Sequence, residues 1–277
     1  MLSFMRSSTS IQITIVELAG GLGNQMFQIA AGMSHALRNG NSFVARSVSD
    51  EAYTSHDGKV VGSPERYREQ VYGNIAISSS SMHSPVYREP HFHYARVPDS
   101  RNIYMKGYFQ SNKYFRDHEE VIRRMFAPTA ETKQYLLNKY GTLLSTSTTV
   151  SLHIRRGDYL CVPDAHPVVP MQYYVDAQSM FPDATFLVFS NDMPWCRENL
   201  PKGRDYVFVE DNEDYQDLFL MSMCNHNIIA NSSFSWWGAW LNASKGKRVV
   251  APSVWFGPRL QQTHDTRDLI PEGWTIL

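Results

Sequence analysis
Arg155 and Arg156 stand side by side in Ser151-Leu-His-Ile-Arg-Arg-Gly-Asp-Tyr159 and are the residues of this chain best suited to chemistry. A guanidinium offers a planar fork of N–H donors that matches phosphate oxygens in pairs and stays charged at any working pH. Two adjacent arginines therefore suit a diphosphate better than two lysines would. The competing reading is a structural ion pair of either arginine with Asp158. The apolar run before them reads as a strand, and open α/β sheets bind ligands at strand carboxyl ends, which favours the functional reading.

Other segments carry polar groups to similar places. Gly20-Gly-Leu-Gly-Asn-Gln25 follows an apolar run and opens a helical pattern, so its backbone N–H groups can approach an anion or a sugar, with Asn24 and Gln25 supplying amides. It is not a dinucleotide fingerprint. Counted from Gly21, the third glycine would fall at Met26, and no acidic residue stands about 20 residues on, where a ribose would need one. The alternative is a plain tight turn. Asn191 and Asp192, after a second strand-like run, either bind a ribose or base or cap the helix that follows. Asp217 sits among Leu218, Phe219 and Met221. As a buried carboxylate it needs partners, and the two adjacent N–H donors of guanine would serve; otherwise it faces solvent. Ser232 and Ser233 start a further helix, as an anion site or as its cap.

These groups need a scaffold. Strand-like runs at residues 11–19, 42–48 and 102–106 and helical patterns at 25–37, 111–125 and 131–139 form a first unit; residues 49–100 show no usable periodicity. After the polar run at residues 145–149 the alternation is cleaner. Strands at 150–154, 185–189, 206–209, 227–230 and 248–251 alternate with helices at 170–180, 193–199, 214–223 and from 233 onward. That alternation predicts an α/β protein with parallel, doubly wound sheets, in two Rossmann-like domains of residues 1–145 and 146–277.

Composition narrows the class. With 26 basic and 27 acidic side chains among 277 residues the net charge is −1, which excludes a nucleic-acid footprint and leaves phosphate to local basic groups. Cys161, Cys196 and Cys224 show no paired spacing, so reduced thiols in a cytosol are expected rather than disulfides or zinc. The segment before residue 11 is short and polar, and no run approaches the roughly 18 apolar residues of a membrane span. The expectation is a cytoplasmic protein, soluble or peripherally attached to a membrane. The sequons at Asn231 and Asn242 flank an aromatic run that reads as buried, so neither is expected to carry a glycan. His91 and His93 read as a loop pair and the acidic run at residues 210–214 as a solvated loop, so no metal site is expected.

Four motifs, in order, resemble glycosyltransferase family 11, the α-1,2-fucosyltransferases that use GDP-L-fucose: Gly20-Gly-Leu-Gly-Asn-Gln-Met-Phe-Gln28, His153-Ile-Arg-Arg-Gly-Asp-Tyr159, Ser190-Asn-Asp192 and Asn231-Ser-Ser-Phe-Ser-Trp-Trp-Gly238. The resemblance covers most of the chain and implies a GT-B fold, two Rossmann-like domains facing across a cleft. It further implies an inverting transfer of fucose to a galactose-terminated glycan, with no cofactor and no metal. By position it implies that Arg155 binds the β-phosphate with Arg156 in support, that His153 and Asp217 contact guanine, and that Ser233 reaches the diphosphate. Asn24 would face the donor phosphate or the acceptor. The base is the point of departure: the α-1,6 relatives use a glutamate after the Arg-Arg motif, whereas here Asp158 and Asp164 are the candidates. A transferase of another linkage, or a protein that only binds a GDP-sugar, are the competing readings.

Overall fold
The computed structural model of the protein describes residues 12–47, 53–54, 60–61, 63–73, 75–79 and 84–277. The first part of the chain runs β1 (Ile13–Leu18), α1 (Leu22–Asn39), β2 (Ser42–Ser47), β3 (Tyr53–Thr54), β4 (Val60–Val61), α2 (Pro64–Tyr67), β5 (Ile77–Ser78), β6 (Val86–Arg88) and β7 (Asn102–Lys106). Two helices follow, α3 (Glu119–Met125) and α4 (Ala130–Thr146). The second part alternates β8 (Thr149–Ile154), α5 (Met171–Ser179), β9 (Thr185–Ser190), α6 (Met193–Asn199), β10 (Asp205–Phe208), α7 (Asp214–Met223), β11 (His226–Ile228), α8 (Ser233–Leu241), β12 (Val249–Ala251), α9 (Pro258–Gln261) and β13 (Thr275–Ile276).

Two parallel sheets result, ordered β5-β2-β1-β7-β6 and β10-β9-β8-β11-β12-β13; β3 and β4 form a separate antiparallel pair. Each sheet grows outward from its first strand and then reverses. The chain leaves β1 for β2 and β5 on one side and places β7 and β6 on the other, so the topological switch falls between β1 and β7. In the second sheet it falls between β8 and β11. Loops at such points splay apart and leave a crevice at the strand carboxyl ends. β8 is buried at every position, as a central parallel strand covered on both faces must be.

The two sheets share one core. Trp236 and Trp237 of α8 are fully buried, and Phe27 of α1 packs on them with ring centroids 4.4 and 5.0 Å away. Phe115 stacks on Trp237 at 5.5 Å, and Trp237 donates its indole N–H to the Gly23 carbonyl at 3.0 Å. This aromatic seam crosses α1 over α8 so closely that a Cβ on Gly23 would lie 2.5 Å from the Ser233 carbonyl carbon and 2.6 Å from the Phe234 nitrogen. Backbone cannot yield as a side chain can. Gly23→Ala is therefore expected to cost about 1–3 kcal/mol, the usual range for overpacking, and thermal or urea melts would show it; a wild-type melt would contradict the crossing.

Several sequence expectations are corrected here. Helix α1 starts at Leu22, three residues early, so Gly23 and Asn24 are helical and only Gly20 and Gly21 form the loop. Residues 111–125 are not one helix. Short 3-10 turns at Asn112–Tyr114 and Arg116–His118 precede α3, because Phe115 and His118 leave helical dihedrals while Tyr114 and Phe115 are drawn into the core. Helix α4 extends to Thr146, into the first two residues of the polar run at 145–149, where Ser145 and Thr146 donate their hydroxyls back to the Thr142 carbonyl at 2.9 and 2.8 Å. The acidic run at 210–214 is the expected loop, with Glu210, Asp211 and Glu213 exposed, but its end is tied down: Glu213 and Asp214 hold Arg66 at 2.7 and 3.1 Å, and Tyr67 donates to Asp214 at 2.7 Å. Residues 11 and 48 of the expected strands lie outside the described residues.

Other expectations stand. Asn231 and Asn242 are each 1 % exposed, too buried to accept a glycan in the folded chain. The three cysteines are free thiols. Among the described residues no helix is long and apolar enough to cross a membrane.

Candidate active site
The carboxyl ends of β8, β9 and β11 bring the polar groups together. Beyond β8, Arg155 makes a two-point ion pair with Asp158, Nε to Oδ1 and Nη2 to Oδ2 both at 2.9 Å. Asn191, beyond β9, closes the cluster: its Nδ2 donates to Asp158 Oδ1 at 3.1 Å, and its Oδ1 accepts from the Arg156 backbone N–H at 3.0 Å. Gly157 makes room for this, because a Cβ there would lie 2.3 Å from Asn191 Nδ2. Arg156 is clamped differently. Its guanidinium lies 3.8 Å over the Trp195 ring and donates to Asp192 at 3.1 Å, while Asp192 also caps α6 by accepting from Trp195 N–H. Arg155 is thus the more exposed arginine, at 29 % against 16 %, and the one placed to meet a ligand. For Asp158 the ion pair, and for Asp192 the helix cap together with an ion pair to Arg156, are what the structure shows, and they hold the arginines in place.

Across the switch point from Arg155, the chain leaves β11 through Asn231 and Ser232 into α8. Asn231 donates its amide to the Pro167 and Trp255 carbonyls at 2.9 and 3.0 Å, and its own carbonyl accepts from the Tyr159 hydroxyl at 3.1 Å. The α8 N-terminus is thereby fixed beside the arginine loop. Ser232 is the N-cap residue, 8 % exposed, and makes no side-chain cap bond. The first-turn N–H groups are thus left uncapped by side chain, carrying the positive end of the helix dipole.

His153, on β8, lies beneath this turn. It is 4 % exposed and shares a 2.8 Å hydrogen bond from Nδ1 with the Ser235 hydroxyl, so it props α8 from below. Burial first, and then the Arg155 charge, pull its pKa down to about 3. The ring is neutral at pH 7. Below about 6.5 the unfolded chain takes up a proton that the folded chain refuses, so stability is expected to fall as pH drops from 6.5 towards 3. Thermal melts between pH 7 and 5 should show a steeper loss for wild type than for His153→Gln; parallel slopes would contradict the assignment.

The facing sheet contributes from its own switch point. Asn24, in the first turn of α1, accepts at Oδ1 from Ser233 Oγ at 2.7 Å and from Gln110 Nε2 at 2.8 Å. Gln110 belongs to the loop after β7, so Asn24 ties both switch points together. With Oδ1 doubly occupied, the amide orientation is fixed and Nδ2 is left as a donor. Gln25 is fully buried instead, donating to the Gly20 carbonyl at 2.8 Å and accepting from Tyr72 at 2.7 Å; it braces the glycine loop from inside.

Sequence reading missed Gln110, because a glutamine in an irregular loop carries no periodic signal. It also missed Glu89, whose carboxylate accepts from the Tyr108 and Phe109 backbone N–H groups at 2.8 and 3.1 Å and holds that loop where Phe109 takes a positive φ of 51°. Of two further expected residues, Asp217 belongs to α7 and Asp164 to the turn that follows the arginine loop. Asp217 accepts from Asn212 Nδ2 at 2.9 Å beside the loop after β10, and Asn212 in turn is bound by Lys139 of α4 at 2.9 Å. Asp164 is exposed on the turn after the arginine loop, where its backbone carbonyl accepts from Arg259 N–H at 2.9 Å.

Comparison with known proteins agrees with this geometry. The family described as glycosyl transferase family 11 matches residues 3–276. An Escherichia coli alpha-1,2-colitosyltransferase is 30 % identical over 95 % of this chain and 98 % of its own length. The O-antigen biosynthesis glycosyltransferase WbnK of the same species is 32 % identical over 86 % of this chain and 93 % of its own. A bovine galactoside alpha-(1,2)-fucosyltransferase 1 is 38 % identical over 34 % of this chain and 29 % of its own. Among solved structures, fucosyltransferase NodZ from Bradyrhizobium superimposes with a TM-score of 0.53 at 13 % identity, covering 83 % of this chain and 93 % of that one. That likeness speaks for the fold.

Two parallel α/β units, tied together at their switch points by Asn24, make a fold of the GT-B type. The chain belongs to glycosyl transferase family 11.

Proposed function
We propose that the protein transfers L-fucose from GDP-L-fucose to the 2-hydroxyl of a terminal galactose on an oligosaccharide or polysaccharide, with inversion and without a metal. The observation that carries this reading is the Asn24 bridge: one amide, fixed by Ser233 and Gln110, joins the two switch points beside the α8 N-terminus. A diphosphate seated there meets Arg155, the first N–H groups of α8 and the Asn24 amide. The acceptor hydroxyl attacks the anomeric carbon from the opposite face. The bond from that carbon to the β-phosphate oxygen breaks, its electron pair leaves with GDP, and the hydroxyl proton passes to a base. Donors already fixed around the leaving diphosphate stabilise its new charge without reorganising, which is the largest contribution the protein makes.

Within this reading Asp158 orients Arg155, since both of its oxygens are already engaged. Asp164 is the base: it is exposed and near the arginine loop, and no hydrogen bond or ion pair engages its carboxylate among the described residues. Ser232, Ser233, Asn191, Asp192 and Arg156 hold or line the donor site, and Asp217 and His153 border the nucleoside end. A second reading keeps the linkage and changes the sugar, with a colitosyl donor in place of a fucosyl one; the similarity to the colitosyltransferase supports it. GDP release from GDP-fucose, with and without lactose and in the presence of a chelator, tests the proposal. Lactose-stimulated release with an α-1,2-linked product supports it. Release from a colitosyl donor alone would favour the second reading, and GDP binding without any transfer would sink both.

A further inference from the structure
An open cavity of about 560 Å³ lies on the seam between the two sheet units, away from the arginines. One wall is the segment after β6, with His91 and His93; the other is the turn after α9, with Thr263, His264, Asp265 and Thr266. That volume is within the range of about 300–1,000 Å³ usual for small-molecule sites.

The walls are built rather than accidental. His91 and His93 stack at 3.5 Å with their planes within 10°, and His91 Nδ1 is bonded to the His93 carbonyl at 2.9 Å. His93 Nδ1 is buried without a hydrogen-bond partner among the described residues. His264 rests on Phe92 and Phe256 at 5.2 and 5.0 Å and shares a 2.8 Å hydrogen bond with Thr263. No lysine or arginine lines the cavity, and its one carboxylate, Asp265, is held by Arg267, with the Arg267 backbone N–H donating at 3.0 Å. Imidazole, amide and hydroxyl groups both donate and accept, and ring faces cover apolar C–H surface, so the lining suits an uncharged polyhydroxylated ligand.

The cavity is coupled to the arginine loop. Phe256 contacts His166 at 5.7 Å, His166 stacks on Tyr159 at 5.1 Å, and Arg155 lies 5.6 Å over the Tyr159 ring. Gly257 N–H donates to the Ala165 carbonyl at 2.9 Å, tying the start of α9 to the turn that carries Asp164. We propose that this histidine-lined cavity is a subsite for an uncharged sugar residue of the acceptor glycan, beyond the galactose that receives the transferred sugar. The inference rests on the transferase reading. It places the length preference for acceptors in His91, His93 and His264.

Imidazole NMR signals of these three histidines, followed as a galactose-terminated tetrasaccharide is added to the GDP-loaded protein, test it. All three are expected to shift with the tetrasaccharide and to stay unmoved when GDP alone is added. In the exposed-site variant His91→Ala, the KM for the tetrasaccharide is expected to rise at least fivefold, with that for methyl β-galactoside and the GDP Kd within twofold of wild type. Transfer to the tetrasaccharide with unmoved histidine signals would overturn the subsite and leave the transferase standing. Shifted signals in a protein that transfers nothing would uphold a glycan site and remove the transferase reading.

Discussion

Arg155→Ala is expected to lower turnover of GDP-L-fucose by about 10² or more, by analogy with the loss of one donor from an oxyanion hole. The side chain is held by the two 2.9 Å bonds it donates to Asp158, which is itself fixed by Asn191, so its position is set before the donor arrives. Arg156 cannot take over, because its guanidinium is committed to Trp195 and Asp192. Arg155→Lys should recover little, since an ammonium offers a point charge where the site presents a fork. Steady-state kinetics on a variant with a wild-type melt decides this; a loss below fivefold would remove Arg155 from the mechanism. Asp158→Asn should then mimic part of the loss without moving the acidic limb of the pH–rate profile, because it orients rather than accepts a proton.

Asn24→Asp is expected to cost at least as much and to be worse than Asn24→Ala. The new carboxylate keeps an oxygen for Gln110 and Ser233, so the contacts across the seam survive. What changes is the other atom: a donor is replaced by a negative oxygen facing a diphosphate. Two like charges about 4 Å apart near a protein surface repel by about 4 kcal/mol, enough for a factor of about 10³. The Ala variant loses the donor to the diphosphate and both seam hydrogen bonds, from Ser233 and Gln110, but adds no repulsion. GDP affinity measured by calorimetry on both variants separates the cases; equal, small losses would mean that Asn24 only links the helices.

Much of the second sheet could be read from sequence because its strands are buried parallel strands of apolar residues joined by ordinary helices, as in Thr149–Ile154 and Thr185–Ser190. The same pattern put Arg155, Asn191 and Ser233 at one edge. The first sheet was half hidden. β5 and β6 have two and three residues, too short for any alternation to show, and Phe115 interrupts a helical pattern by turning into the aromatic seam. The partners across the seam were hidden for a different reason. That Asn24 meets Gln110 and Ser233, or that Glu213 and Asp214 meet Arg66, depends on how two units dock, and no local propensity encodes that. His91 and His93 looked like an idle loop pair for the same reason, since half of their cavity comes from residues 263–266.

A crystal structure of the protein with GDP tests the central claim most directly. The β-phosphate is expected between Arg155 and the first turn of α8, within hydrogen-bond distance of the Arg155 guanidinium and the Asn24 amide. A diphosphate bound elsewhere, with Arg155 still closed on Asp158 and no contact to Asn24, would contradict the account.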